Sequence, residues 1–143
     1  MPLLQVTTAE GTFNKQEQDS LMSRLSKAVI KAEGADADDP AALALVWAFH
    51  TEQPKGNSYV GGEAIDQPPV LVAISTPQGA LSAESGQSLV ADVGSIVDDL
   101  LGTYENRFNH WVLLKEVDEG NWGGAGQVFS LSAIQAAMNI EAA

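Results

Sequence analysis

The chain has 143 residues, 45% of them hydrophobic, which suits one compact domain with a real core and is too short for two ordinary ones. Nineteen acidic against seven basic residues give a formal charge of −12, a field that repels nucleic-acid phosphates and anionic lipid and excludes both as expected partners. With no cysteine, and with His50 and His110 far apart and outside any HxH or HExxH spacing, neither disulfides nor a metal site is expected, and no other cofactor is called for.

The N-terminus carries no basic segment followed by an apolar stretch, and no run approaches the roughly 18 apolar residues of a membrane helix. A soluble cytoplasmic protein is expected. Leu3 to Thr7 is short and apolar-rich and reads as a strand, with a turn at Glu10-Gly11. Asn14 then caps a helix, with Glu17 three residues on to complete a capping box. Leu21, Leu25, Ala28, Val29 and Ala32 form its apolar face, and Gly34 with the acidic stretch before Pro40 ends it. Leu43 to Thr51 reads as a second, heavily buried strand, followed by a glycine-rich hairpin or loop from Gly56 to Gly62.

The order then recurs. Val70 to Ile74 is a strand, Gly79 a turn and Ser82 a helix cap. Leu89, Val93, Ile96, Val97 and Leu100 make a second helical face, before the strand Trp111–Leu114 and the glycine-rich Gly120 to Gly126. His110 ends the second helix or begins the strand. One constant offset places Trp47 on Trp111, Glu52 on Glu116, Gly56-Asn57 on Gly120-Asn121 and Gly62 on Gly126; a second places Thr8 on Thr76 and Gly11 on Gly79. Identity and element order agree, so the chain is read as an internal duplication. Repeat one covers about residues 2–66 and repeat two about 69–127. A C-terminal strand from Val128 to Leu131 and a helix capped near Ser132, with Gln135 closing a capping box, complete a single domain over 1–143.

Each β-α-β unit joins parallel strands through a crossover helix, so two units predict an α/β (α+β) fold: a four-stranded sheet with two helices on one face. The other face must be hidden, and oligomerisation hides it most simply.

Pro2-Leu3-Leu4-Gln5-Val6 before a helix, and the run from Thr51 to Glu63 with its Glu52, Lys55, Gly56, Gly61 and Gly62, resemble the tautomerase superfamily in its 4-oxalocrotonate tautomerase branch. Over nearly the whole chain up to Gly126, the likeness is closer to the fused, two-repeat subgroup that includes cis-3-chloroacrylic acid dehalogenase. The shared stretches are Glu52-Gln53-Pro54, Gly56-Asn57, Gly61-Gly62, Val97-Asp98-Asp99 and Trp111-Val112. The resemblance implies a tautomerase/MIF-like homotrimer of fused subunits with a site at each Pro2.

It does not imply dehalogenation. Where that enzyme carries a histidine, two arginines, a tyrosine and a glutamate, this chain reads Val29, Pro77, Ala80, Leu113 and Gly124. The positions of the arginines that bind dicarboxylates in 4-oxalocrotonate tautomerase map to Thr12 and to Trp47 or Trp111, which argues against a diacid.

Pro2 is the expected catalytic residue. Once Met1 is removed its nitrogen is a secondary amine; an α-amino group has an ordinary pKa of about 7.7–8.0, and an apolar pocket lowers it into the range of a general base near neutrality. A retained Met1 would turn that nitrogen into an amide and abolish its basicity. Trp122, in the second glycine-rich loop, is expected as an apolar wall of the pocket, with Leu113 beside it. Arg107 and Lys115 are the remaining cations suited to a substrate carboxylate, and backbone N–H groups would steady an enolate oxygen. Trp111 is expected to pack, since Trp47 occupies the same strand position. The expected function is a cofactor-free keto–enol tautomerase acting on a small monocarboxylic enol or keto acid. A non-catalytic trimer that binds small molecules with a degenerate tautomerase fold, or a related lyase or decarboxylase, stands as the alternative.

Overall fold

Capping chemistry sets the helices of the first repeat. In the computed structural model, which describes residues 1–141, Asn14 accepts the backbone N–H of Glu17 at 2.8 Å and the Glu17 carboxylate accepts that of Asn14 at 2.9 Å. This opens α1 (Lys15–Ala32) directly after β1 (Leu3–Ala9) and its turn. A short α2 (Pro40–Leu43) leads into β2 (Trp47–Gln53) and the hairpin of β3 (Tyr59–Val60) with β4 (Glu63–Ala64). The second repeat follows the same order: β5 (Val70–Pro77), α3 (Ala83–Leu101) capped by Ser82, β6 (His110–Val117), and the hairpin of β7 (Gly123–Gly124) with β8 (Gln127–Val128). The chain then forms α4 (Leu131–Ala137). Residues 142 and 143 of the expected C-terminal segment lie outside the described residues.

The sheet has the order β2-β1-β5-β6, parallel within each repeat and antiparallel where β1 meets β5. The alternation of strand side chains decides what each face does. Leu4, Val6, Val72 and Ile74 point to one face and are fully buried against Leu21, Leu25 and Val29 of α1 and Leu89, Val93 and Val97 of α3. Each such side chain contributes about 1.5–3 kcal/mol by leaving water. This is the expected four-stranded α+β plan with two helices on one face.

The opposite face carries Trp47, Phe49, Leu71, Trp111 and Leu113, all of them exposed in the single chain; Trp47 and Trp111 are 66% and 67% exposed. Soluble chains rarely leave so many large apolar side chains together in water.

Several boundaries differ from the sequence reading. The second strand begins at Trp47 rather than Leu43. Asp39 accepts the Ala41 N–H at 2.9 Å and Pro40 takes the first helical position, so residues 40–43 form α2 instead of extended chain. Nor is β2 buried on both sides, for it alternates with Trp47 and Phe49 outward. The terminal helix is capped by Ser130, whose hydroxyl accepts the Ala133 N–H at 3.2 Å, and not from Ser132 with Gln135. The extended segment before it is two residues long, Gln127–Val128, rather than reaching Leu131.

Candidate active site

Pro2 heads β1 and is buried. Its carbonyl accepts the Trp47 N–H at 3.3 Å, which ties the start of β1 to the start of β2 and fixes the residue against the sheet. Around it lies a cavity of about 420 Å³ walled by Leu3 and Trp47 from the first repeat, Ser75 from β5, and Asn121 and Trp122 from the second hairpin. Phe129, in the segment leading to α4, closes one side. It lies so near the hairpin that a Cβ on Gly124 would stand 3.2 Å from its ring. The glutamate of the dehalogenase pattern could enter here only by displacing that ring.

α4 serves the site from behind. Ile134 and Met138 bury themselves with Ile30 and Ala42, and Met1, Trp122 and Phe129 pack against this second cluster. The chain's N-terminal nitrogen is thereby held in place: the Met1 ammonium donates to the Met138 sulfur at 3.0 Å and lies 3.6 Å from Glu33 Oε2.

Glu33 is the unexpected member. It caps the C-terminus of α1, where the helix dipole disfavours a negative charge, and its side chain is 2% exposed. Its Oε1 is buried with no hydrogen-bond partner among the described residues. The Met1 ammonium beside it offsets part of the cost of burying this carboxylate. Burial lowers the pKa of the N-terminal ammonium, with Glu33 pulling against it; burial raises that of Glu33, with the ammonium pulling against it. Burial is the larger influence on both, so both groups are pushed toward their neutral forms.

The cavity wall itself is neutral: among the described residues no charged side chain lines it. Its polar side-chain groups are the Ser75 hydroxyl, the Asn121 amide and the indole N–H groups of Trp47 and Trp122.

Of the residues expected at the site, the fold brings Pro2 and Trp122 together and holds the other three apart from them within one chain. Leu113 stands on the open sheet face opposite Ala73, one strand beyond β5. Lys115 is opposite Ser75 but lines a separate hollow with Thr76 and Leu81. Arg107 lies just before β6, at the other end of the sheet, stacked 4.9 Å over the Tyr104 ring. Ser75, Asn121 and Glu33 were not singled out from the sequence. Only Glu33 left a trace there, as an acidic residue at a helix end that prefers cations.

No protein-family model and no curated protein sequence matches this chain. Solved structures do. The Q0 fused 4-OT, a symmetric trimer, is 25% identical with a TM-score of 0.72 over 92% of this chain and 97% of its own. Pt0534, inactivated by 2-oxo-3-pentynoate, is 23% identical with a TM-score of 0.74 over 92% of this chain and 98% of its own. N1, of the cis-3-chloroacrylic acid dehalogenase family, is 16% identical with a TM-score of 0.68 over 88% of this chain and 82% of its own. The chain has the fused, two-repeat tautomerase fold that its residues resemble.

Proposed function

We propose that this chain, built on the fused tautomerase fold, is a cofactor-independent keto–enol tautomerase of a small monocarboxylic enol or keto acid with an apolar or aromatic body. Pro2 is its general base. The observation that carries the reading is the burial of Pro2 at the head of β1, in an uncharged cavity walled by two tryptophans and a phenylalanine. Such walls suit a flat apolar body.

With Met1 removed, the Pro2 nitrogen would be the chain terminus, and the same burial would favour its neutral, proton-accepting form. It takes a proton from the enol hydroxyl, or from the carbon beside the carbonyl, and returns it at the other position, so no atom is gained or lost. Backbone N–H groups of the second hairpin and the Asn121 amide steady the enolate oxygen.

The reading also takes in the assembly. A homotrimer would bury the apolar sheet face and set neighbouring subunits around each Pro2, and the cytoplasm is the compartment in which such a cysteine-free acidic chain is expected to work. No helix among the described residues is long and apolar enough to cross a membrane.

Intact mass of the purified protein reports whether Met1 is present. The ultraviolet decay of enol phenylpyruvate, followed with wild type and Pro2→Ala, then tests the base. A large loss in the variant supports catalysis; equal rates end it. The second reading, a non-catalytic binding protein, rests on the way Glu33 and Met138 seat the Met1 ammonium and Met1 itself lines the cavity. A protein that keeps Met1 throughout, yet still binds phenylpyruvate, would establish it.

A further inference from the structure

The duplication repeats the strand heads and one hairpin edge of the Pro2 cavity elsewhere in the chain. In the antiparallel pairing of β1 with β5, Gln5 stands opposite Ala73, Leu3 opposite Ser75 and Thr7 opposite Leu71. Leu3 and Leu71 are equivalent positions of the repeats, because each lies opposite a tryptophan in its own parallel pair, Trp47 and Trp111. Thr7 and Ser75 are equivalent by the same register. Equivalent residues therefore exchange places across the pair, which is the pattern a local twofold axis between Gln5 and Ala73 produces.

That axis carries part of the wall of the Pro2 cavity onto a second cavity of about 430 Å³, close to the 420 Å³ of the first; the images of Ser75, Asn121, Trp122 and Phe129, which are Thr7, Asn57, Ser58 and Ile65, do not line it. Pro2 falls on Val70, Leu3 on Leu71, Trp47 on Trp111, and Gly123-Gly124 of one hairpin on Tyr59-Val60 of the other; all five images line the second cavity.

Two differences change its chemistry. Where the first cavity has the head of the chain, the second has the Val70 peptide nitrogen, which donates to the Asn109 carbonyl at 2.8 Å and has no basicity. And where the first has no charged side chain in its wall among the described residues, the second has Arg107. Its guanidinium is anchored by a hydrogen bond to the Gln67 carbonyl and by stacking on Tyr104. It makes no ion pair among the described residues, and its Nε is buried without a partner. In a chain of net charge −12, a fixed arginine with no carboxylate at ion-pair distance among the described residues, set among Tyr59, Phe108 and Trp111, is a half-built receptor for an anion with an aromatic body.

We propose that this second cavity is a binding site for aromatic monocarboxylates, which it holds without turning them over. The carboxylate meets Arg107 and the ring lies against Trp111 and Tyr59. The proposal does not depend on a free Pro2 nitrogen, so protein with or without Met1 serves to test it.

The three tryptophans make the test site-specific, for Trp111 reports the second cavity while Trp47 and Trp122 report the first. Phenylacetate is titrated into ¹⁵N-labelled full-length protein and the indole N–H resonances are followed. The Trp111 signal should shift saturably, and Arg107→Gln should weaken that curve about tenfold or more, the loss expected of one charge-assisted contact, while leaving the Trp47 and Trp122 responses unchanged. Phenylacetamide, which lacks the charge, should move Trp111 only at far higher concentration. A Trp111 signal that ignores phenylacetate, an Arg107→Gln curve equal to wild type, or an amide as effective as the acid would each overturn the proposal. The amide comparison needs only the wild-type protein, so it decides the matter even if the variant does not fold.

Discussion

The two repeats match position for position in the register of their strands and part company at the heads of β1 and β5. At one head stands Pro2, next to the end of the chain, with Glu33 and Met138 gathered around the terminal nitrogen. At the other, Val70 is in mid-chain, its nitrogen engaged by Asn109, and an arginine looks into the hollow. The comparison teaches that backbone plan and reactivity are separable. Duplication copied the container, while the basic atom depends on where the chain begins and the charge on a few wall residues.

The strongest way to break this comparison is at Pro2. If the terminal amine is the base, Pro2→Ala should lower kcat/KM for enol phenylpyruvate about 10²- to 10⁴-fold, measured by ultraviolet decay, with thermal stability little changed. A residual rate near wild type would mean that the two heads are functionally alike. Next in size is the shared open face. If a trimer covers this face, Phe49→Glu, which places a charge among Trp47, Leu71 and Trp111, should convert it to single chains in sedimentation velocity; an unchanged sedimentation coefficient would remove the argument for a buried face.

Glu33 sharpens the comparison through pH. Its folded pKa is raised above the ordinary 4.5, so the folded chain holds the proton more tightly than the unfolded chain. Its contribution is fully present below 4.5 and is lost as pH rises through the folded value. Glu33→Gln lacks that slope. The Tm of the variant minus that of wild type should therefore grow more favourable to the variant as pH rises from 4.5; a difference flat with pH would show that Glu33 is not held as described. The smallest effect separates equivalent turns. Gly11 and Gly79 both adopt positive φ, but a Cβ at Gly79 would stand 3.3 Å from Leu131 Cδ2, whereas nothing lies within 4 Å at Gly11. Both alanine variants should lose about 1 kcal/mol to backbone strain, and Gly79→Ala a few tenths more from contact, by urea unfolding.

Local chemistry was legible in the sequence. The Asn14 and Ser82 caps, the helical faces and the pairing of Trp47 with Trp111 all depend on spacings of a few residues or on identities repeated down the chain, and each stands in the structure. The start of β2 was misread because Leu43 to Phe49 is apolar enough for a buried strand, while the Asp39-Pro40 cap that makes its beginning helical lies just before it. Pro2 and Trp122 could be paired through resemblance. Glu33 could not, since its meaning comes from the return of α4 and the placing of the chain terminus against α1. Arg107 and Lys115 were chosen for their charge, and charge alone does not say which hollow of the fold a residue lines.

The contact between Met1 and Met138 brings the beginning of the chain to within a bond's reach of its final helix. A rearranged protein, with the old ends joined by a short loop and a new opening cut between Pro69 and Val70, would keep every strand where it is. It would move the free amine from one hollow to its twofold-related counterpart, beside Arg107, so that the choice of which half is reactive becomes a matter of where the polypeptide is severed.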